Sequence, residues 1–315
     1  MSRYAPVYIG TMNRFDHFMR AVNSLRTNDL AAETLLYIGL DHPVKEAHFE
    51  GYDKIRAFLD NLTGFKDLIV FKREKNLGAV RNFQDGKAQL LEVNDRIIVS
   101  EDDNTFAPNF LTYMNLGLEK FETDSRIFSI CGYNLPLDIG NGYAANYFLY
   151  PGAFVWGYGI WRDRYQKVHV SQQNIARRLR DPLFVLQTGA ANPRFLAGML
   201  AIAQGKQIWD PFSEIAIGLH IRQNKLLSVF PTVSKVRNLG HDGTGVRCTS
   251  IEGKNIFALQ DIDQDSDFAF EDRGERLVEH PIIKKAFKGY FKGNTKSYFR
   301  LMNTLLRYYL HAVKK

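Results

Sequence analysis

The segment RIIVSEDDNTFAPNF (Arg96–Phe110) runs from an apolar stretch directly into three acids, Glu101, Asp102 and Asp103. Its first half has the β-branched and apolar composition of a buried strand. Adjacent carboxylates repel one another, and near a core each must find a partner or take up a proton. Turn and capping chemistry before the proline explains one acid but not three. The segment therefore predicts a buried strand that ends at a site for a positive group, such as a divalent cation bound to phosphate.

Strands and helices alternate around this segment. Three more apolar strands are predicted, over Pro6–Met12, Glu33–Asp41 and Asp67–Glu74. Helical spacing of apolar residues follows the first and third of these strands, and Pro108 opens another helix. This alternation predicts an α/β fold with a doubly wound, mostly parallel sheet flanked by helices. Ligands bind such sheets beyond the carboxyl ends of the strands, where Asp41 and the three acids fall.

Later parts of the chain carry weaker signals. Residues 171–205 have a helical pattern, and LLSVFP and TVSKVRN, over 226–238, read as two short strands. The 315 residues are 45% hydrophobic and 13% aromatic, enough for a full core. No run of 18 apolar residues and no secretory signal is found, so a cytoplasmic protein is expected. Cys131 and Cys248 are predicted to be free thiols.

The positive net charge is concentrated at the C-terminal end. The chain carries +7 overall, but nine of its 41 basic residues lie in 281–315, which contains no acid. The remaining residues hold 32 basic against 34 acidic side chains, which gives no electrostatic case for nucleic-acid binding. Residues 251–280 read as an acidic, solvated linker. The acids of Asp261–Asp272 resemble a calcium loop but lack its glycine at position six and glutamate at position twelve.

The basic tail predicts an amphipathic helical extension. Its cationic residues recur every four positions beside an apolar spacing, while Gly289 and Gly293 weaken its first part and place the firm helix near Thr295. Two interpretations remain open, docking on the body of the protein and peripheral contact with the anionic inner face of a membrane. The absence of acids beside abundant aromatic residues slightly favours the membrane.

Five ordered segments resemble GT-A-fold glycosyltransferases of the large family-two kind, typified by bacterial sugar transferases. They are APVYIGTMNRFDHFMRAVNSL, YIGLDHP, KNLGAVRNF, IIVSEDDNTFAPNFL and WGYGIWRDRY. A more distant resemblance is to N-acetylglucosaminyltransferase I, which also carries a Glu-Asp-Asp motif. The resemblance implies a GT-A catalytic domain over 1–250, followed by the linker and the tail. It also implies metal-dependent, inverting transfer of a sugar from a nucleotide sugar, first of all a UDP-sugar, to a glycan or lipid-linked acceptor in surface polysaccharide assembly.

The resemblance also assigns residues to the nucleotide and the metal. It implies a nucleotide pocket lined by Thr11, Arg14, Asp41, Asn76, Gly78 and Arg81, in which Asp41 bonds the base. Without the resemblance, an ordinary strand-to-helix turn is the favoured explanation for Asn76 and Gly78. The three acids correspond to the DxD motif. Asp103 would bind Mn²⁺ or Mg²⁺ directly, and Asp102 would lie near the ribose or a metal-bound water.

The third metal ligand is open. His241, in LGHDGTGVRC, is a candidate for it. Relatives more often place a histidine immediately before the cysteine, where this chain has Arg247. Contact with the diphosphate is the alternative role for Arg247.

The sugar and the catalytic base complete the predicted site. Trp156 and Gly157, in WGYGIWRDR, suit either plain core packing or the C–H face of a sugar ring. The resemblance places the base in KQIWDPFSEIAIGLHI, with Asp210 the first choice and Glu214 the second. Asp210 would also cap a helix that begins at Pro211, and both roles are compatible.

Two alternatives to a glycosyltransferase stay open. A sugar nucleotidyltransferase has similar sheets and acids, but it normally carries a glycine-rich basic loop after the first strand, and TMNRFDH is not one. A nucleotide-sugar-binding module without turnover is the second. The presence of both the acidic cluster and Asp210 speaks against it.

Overall fold

The computed structural model describes residues 3–140, 142–207, 209–245, 255–271, 279–292 and 300–308. Within these ranges the strands are β1 Val7–Thr11, β2 Leu35–Leu40, β3 Asp67–Lys72, β4 Arg96–Glu101, β5 Asn104–Phe106, β6 Ile127–Cys131, β7 Tyr147–Tyr150, β8 Tyr158–Trp161, β9 Leu227–Pro231 and β10 Val236–Asn238. The α-helices are α1 Phe15–Arg26, α2 Glu46–Asp60, α3 Ala79–Val93, α4 Phe110–Lys120, α5 Arg162–Gln166, α6 Gln172–Arg178, α7 Pro182–Ala191, α8 Pro193–Ala203, α9 Glu214–Gln223 and α10 Pro281–Phe291. Residues 300–308 are also helical.

Eight strands form one mixed sheet in the order β3-β2-β1-β4-β8-β6-β9-β7. The first four run parallel, β8 is antiparallel to β4 and β6, β9 is parallel to β6, and β7 is antiparallel to β9. β5 and β10 pair separately as a two-stranded antiparallel sheet. The predicted α/β class is confirmed, with a mostly parallel sheet flanked by helices and further helices at the C-terminal end.

Tyr8 of β1 brings α3 unusually close to the sheet. Its ring lies against Gly86 of α3, where an added Cβ would stand 2.2 Å from the ring, and against Gly39 of β2, where a Cβ would stand 1.9 Å from its hydroxyl. The hydroxyl donates a hydrogen bond of 2.9 Å to the carbonyl of Asn82. Larger residues cannot occupy either glycine position without displacing the tyrosine. This contact therefore sets how closely α3 packs on the face of the sheet.

Several elements differ from the sequence-based expectation. The glycine and tryptophan stretch, read as a poor strand former, contains β8, which is buried between β4 and β6. The helix expected at Pro211 begins at Glu214, with the Ser213 hydroxyl accepting from the amide of Ala216. The second helix, α2, and the strands β5 and β7 were not anticipated. The strands β5, β7 and β8 pair with strands far along the chain, so their local pattern is weak.

The C-terminal segments pack on the sheet and on the helices α6 to α9. Ile283 and Phe287 of α10 are buried in the main core, and Phe287 stacks on Tyr150 with ring centroids 3.6 Å apart. Helix α10 therefore forms ahead of Thr295, where the firm helix was expected; Thr295 itself lies outside the described residues. Leu305 is buried in a second cluster with α6 to α9. Docking thus occupies the apolar faces of both described helical stretches of the tail.

The described part of the acidic segment also lies on the body. Lys235 forms an ion pair with Asp263, and Phe268 and Phe270 pack on Tyr113. Asp261, Asp265 and Asp267 are exposed. The domain boundaries at 250 and 280 stay predictions.

No helix in the described ranges is both long enough and apolar enough to cross a bilayer. The lysines of α10 at positions 284, 285, 288 and 292 are exposed, opposite its buried face. Peripheral membrane contact through 281–315 stays a prediction.

Phe287→Ala should lower the free energy of unfolding by about 3–5 kcal/mol, because it removes a fully buried ring and leaves a cavity against Tyr150. Urea unfolding measures this effect. Lys288→Ala, on the exposed face of the same helix, is the matched control and should change stability by less than about 0.5 kcal/mol. Equal effects of the two substitutions would show that α10 does not dock on the sheet.

Candidate active site

Arg14 holds together the two aspartates at the end of β4. Its guanidinium forms ion pairs with both Asp102 and Asp103, the latter at 2.8 Å. The second oxygen of Asp102 accepts from the Thr11 hydroxyl at 2.8 Å, and the second oxygen of Asp103 accepts from the Asn238 amide at 2.8 Å. Both carboxylates are buried. An arginine of the chain itself therefore supplies positive charge to the two aspartates, whereas binding of a divalent cation stays a prediction.

One arginine does not balance all the acids here. Burial raises the pKa of Glu101, and the carboxylates of Asp103, Asp102 and Glu214 raise it further, against the opposing effect of Arg14. Burial likewise raises the pKa of Asp102, although Arg14 opposes it. The acids thus outnumber Arg14, which favours either protonation of Glu101 or an additional cation.

The β5–β10 pair brings a distant loop to these acids. Asn238 of β10 pairs with Asn104 of β5, and the amide of Leu239 donates to the carbonyl of Asp103 at 2.8 Å. Gly240 follows, where an added Cβ would stand 1.9 Å from a carboxylate oxygen of Asp103. Next in the chain is His241, whose Nε2 is buried without a hydrogen-bond partner. Burial lowers the pKa of His241, and Asp103 opposes this shift.

Asp41 organises the loop that precedes α3. Its two carboxylate oxygens accept from the amides of Leu77 and Gly78 at 2.8 and 2.9 Å, and one also accepts from the amide of His42. Gly78 has a φ of 74°, a conformation that favours glycine, and it directly precedes α3. The side-chain amide of Asn76 donates to the His42 carbonyl at 2.6 Å. Asp41 therefore shapes the predicted nucleotide loop.

Arg81 lies in the first turn of α3 with its side chain exposed, as is the side chain of Asn76. Its role in lining the nucleotide pocket stays a prediction.

Trp156 lies among aromatic rings beside His241. Its ring centroid is 4.7 Å from that of Tyr133, 5.6 Å from that of His241 and 5.4 Å from that of Phe257. Gly157 has a φ of 67°, and its carbonyl accepts from the amide of Gly132 at 2.7 Å. Trp156 is only partly buried, so one part of this aromatic cluster remains accessible beside the acids.

The two candidate bases differ in environment. One oxygen of Asp210 accepts from the Gln84 amide at 3.2 Å and from the amide of Phe212 at 2.9 Å, so Asp210 closes the turn before α9. Glu214, the first residue of α9, has a pKa raised to about 7 by burial, with the amide of Val155 opposing the shift. Glu214 thus has the pKa that suits proton transfer near neutral pH.

Lys87 was not anticipated as a site residue. It is buried on α3, with its ammonium 3.5 Å from the hydroxyl of Tyr158 and 4.7 Å from the ring centre of Phe212. Burial lowers its pKa to about 8, while Asp210 and Glu101 oppose that shift. A lysine on an amphipathic helix ordinarily extends to solvent, so its sequence context carries no signal for this position.

A divalent cation fits this site only in part. In the described ranges, no three His, Cys, Asp or Glu side chains converge as metal ligands. Asp102 and Asp103 do share one cationic group, Arg14, and His241 offers a buried, unpartnered nitrogen nearby. Two carboxylates completed by substrate phosphate oxygens suffice for Mg²⁺. Arg247 and Cys248 lie outside the described residues, whereas Cys131 is a buried free thiol, as predicted.

No family model and no curated protein matches this chain. Among solved structures it is similar to the mannosyltransferase PcManGT from Pyrobaculum calidifontis in complex with GDP-Man and Mn²⁺, with 10% identity, 69% of this chain and 70% of that chain covered, and a TM-score of 0.40. The chain is also similar to an active-site mutant of LgtC, with 11% identity, 68% of this chain and 70% of that chain covered, and a TM-score of 0.36. With TarS from S. aureus the identity is 14%, the coverage is 45% of this chain and 39% of that chain, and the TM-score is 0.31. The TM-scores of these three structures are all below 0.5, so the similarities do not establish a function for this chain.

Arg14→Met should tighten Mn²⁺ binding to the nucleotide-free protein by about tenfold or more. The substitution frees carboxylate oxygens of Asp102 and Asp103 and removes a competing charge, and a unit charge at this range is worth about 1–4 kcal/mol. Calorimetric titration with Mn²⁺ measures the change. Arg20→Met, on the exposed side of α1, is the control and should leave the affinity unaltered. Unchanged or weaker binding in Arg14→Met would contradict the assignment of Arg14 as the resident counter-ion.

Glu214→Gln should stabilise the protein at pH 8 by an amount on the order of 1–3 kcal/mol. In the folded protein the pKa is about 7 instead of 4.5, so ionisation costs stability progressively as the pH rises through this window. The gain should therefore shrink toward zero at pH 5. Urea unfolding at both pH values gives the comparison, with exposed Glu119→Gln as control. A gain that is the same at pH 5 and pH 8 would rule out the raised pKa.

Proposed function

We propose that this chain is a GT-A glycosyltransferase that transfers a sugar from a nucleoside-diphosphate sugar to an acceptor hydroxyl with inversion. The carrying observation is the Asp102–Arg14–Asp103 arrangement at the carboxyl end of β4, with Glu214 near enough to raise the pKa of Glu101. We take Arg14 with the two aspartates as the charge-binding group and Glu214 as the proton acceptor. The ordered motifs of the sequence support the same activity.

The donor is proposed to lie across the ends of β1, β2 and β4. The loop held by Asp41 presents the start of α3, whose N-terminus favours an anionic group. Arg14 offers its buried and unpartnered Nη1 to a diphosphate oxygen. Trp156, beside His241, is positioned for the transferred sugar. UDP is the first nucleotide to test.

Asp102, Asp103 and His241 are the residues that would hold Mn²⁺ or Mg²⁺ together with the diphosphate. When bound, the ion supplies charge neutralisation to the leaving group. Arg14 supplies part of the same positive charge from the chain itself.

Glu214 is proposed as the base that activates the acceptor. The acceptor oxygen bonds to the anomeric carbon as the bond from that carbon to the diphosphate oxygen breaks. The hydroxyl proton passes to Glu214, and the bonding electron pair leaves with the diphosphate. Asp210, the first choice from sequence, already accepts from Gln84 and Phe212, so we assign it to positioning the turn before α9.

A panel of nucleotide sugars tests the function directly. Incubation with the protein, Mn²⁺ and a carbohydrate mixture should release nucleoside diphosphate from one donor and yield a glycosylated product. Pyrophosphate formation from a sugar phosphate and a nucleoside triphosphate would instead identify a nucleotidyltransferase. Donor binding without product would identify a binding module.

Glu214→Gln should lower kcat by about 100-fold or more while leaving nucleotide affinity within about twofold, because the amide retains the shape but accepts no proton. Asp210→Asn should lower kcat by less than about tenfold. Steady-state kinetics and nucleotide titrations on both variants decide between them. The opposite order of effects would return the role of base to Asp210.

A further inference from the structure

A cavity of about 240 Å³ lies behind Glu214, between the end of β7 and the helices α8, α9 and α10. Its aromatic walls include Tyr150, Phe154 and Phe291. Its polar lining includes Glu214, Arg194 and Arg222. A concave site with apolar walls and a few converging polar groups is the usual form of a small-molecule site.

Arg222 is a partly buried cation in this lining. Its guanidinium donates to the carbonyl of Gly218 at 3.1 Å and lies 4.4 Å from the ring centre of Phe195, and it hydrogen-bonds the hydroxyl of Tyr150. In the described part of the chain no carboxylate comes within ion-pair distance of it; Glu279 acts on it from further away. A partly buried cation without an ion pair is unfavourable, and a ligand anion would offset that cost.

Arg194 adds a second positive group at the mouth of this cavity. Its side chain is exposed and lies 5.6 Å from the ring centre of Tyr290. The cavity therefore combines aromatic walls with two arginines, one partly buried and one exposed. A purely apolar ligand, such as a lipid chain, would leave Arg222 uncompensated.

Glu214, the proposed base, is itself part of the cavity lining. A ligand in the cavity can thus present one group to Glu214.

We propose that this cavity binds the acceptor, a pyranose ring that carries a carboxylate or a phosphate. The ring lies on the aromatic walls, its anionic group pairs with Arg222, and a hydroxyl faces Glu214. The volume is below the roughly 300 Å³ at which sites for drug-sized ligands begin, so the cavity takes one ring. The role of this ligand as the acceptor rests on the proposed function, whereas its binding in the cavity does not.

The proposal is tested by titrating the donor-free protein separately with glucuronate, glucose 6-phosphate and glucose. Saturation-transfer NMR monitors the binding of each sugar. At least one anionic sugar should bind about tenfold or more tightly than glucose, and the tighter of the two identifies a carboxylate or a phosphate. Arg222→Met should reduce that preference to near unity. Arg222→Lys, which keeps the charge, should retain part of it, and exposed Arg177→Met on α6 should retain all of it.

Equal affinity of the wild-type protein for glucose and both anionic sugars would overturn the proposal, as would the absence of binding by any of the three. A preserved preference in folded Arg222→Met would overturn the role of Arg222. If Arg222→Met does not fold, the wild-type preference and the Arg222→Lys variant still decide. Anionic-sugar binding without turnover of any nucleotide sugar would leave the cavity standing and remove the proposed function.

Discussion

The guanidinium of Arg14 between Asp102 and Asp103 is the interaction on which the site depends. Two buried carboxylates at adjacent positions repel each other, and removing them from water costs several kcal/mol unless a cation compensates. Arg14 provides that compensation from the loop after β1, while Thr11 and Asn238 satisfy the remaining oxygens. Arg14 thereby orders the end of β4, but the acids there still outnumber it. The cation of a metal-bound diphosphate would offset this excess of negative charge.

The packing of α3 links this charged edge to the side where the acceptor is proposed. Tyr8 fits against Gly39 and Gly86, so α3 approaches the sheet closely along its length. The start of α3 is fixed to Asp41, and its middle carries Lys87 beneath the turn that leads into α9. A rigid helix thus connects the proposed nucleotide loop to the region of Glu214. Positions set by helices and strands are better defined than positions on free loops.

The sequence predicts the parallel half of the sheet because local signals and tertiary packing agree there. It does not predict β8, since Tyr158–Trp161 is stabilised by pairing with β4 and β6 rather than by any local pattern. The candidate site at the three acids was inferred from their adjacency at the end of a predicted strand. Lys87 and Arg222 gave no such signal, because both read as ordinary helix-surface cations until distant aromatic rings are seen around them.

The Asp102–Arg14–Asp103 edge is proposed to bind a nucleoside diphosphate together with a divalent cation. Calorimetric titration of nucleoside diphosphates into the protein, once with Mn²⁺ and once with a chelator, measures this binding. We expect one-to-one binding of a single nucleotide that is at least about tenfold tighter with Mn²⁺ and is lost in Asp103→Asn. Absence of binding by every nucleoside diphosphate under both conditions, or binding that Asp103→Asn leaves intact, would contradict it.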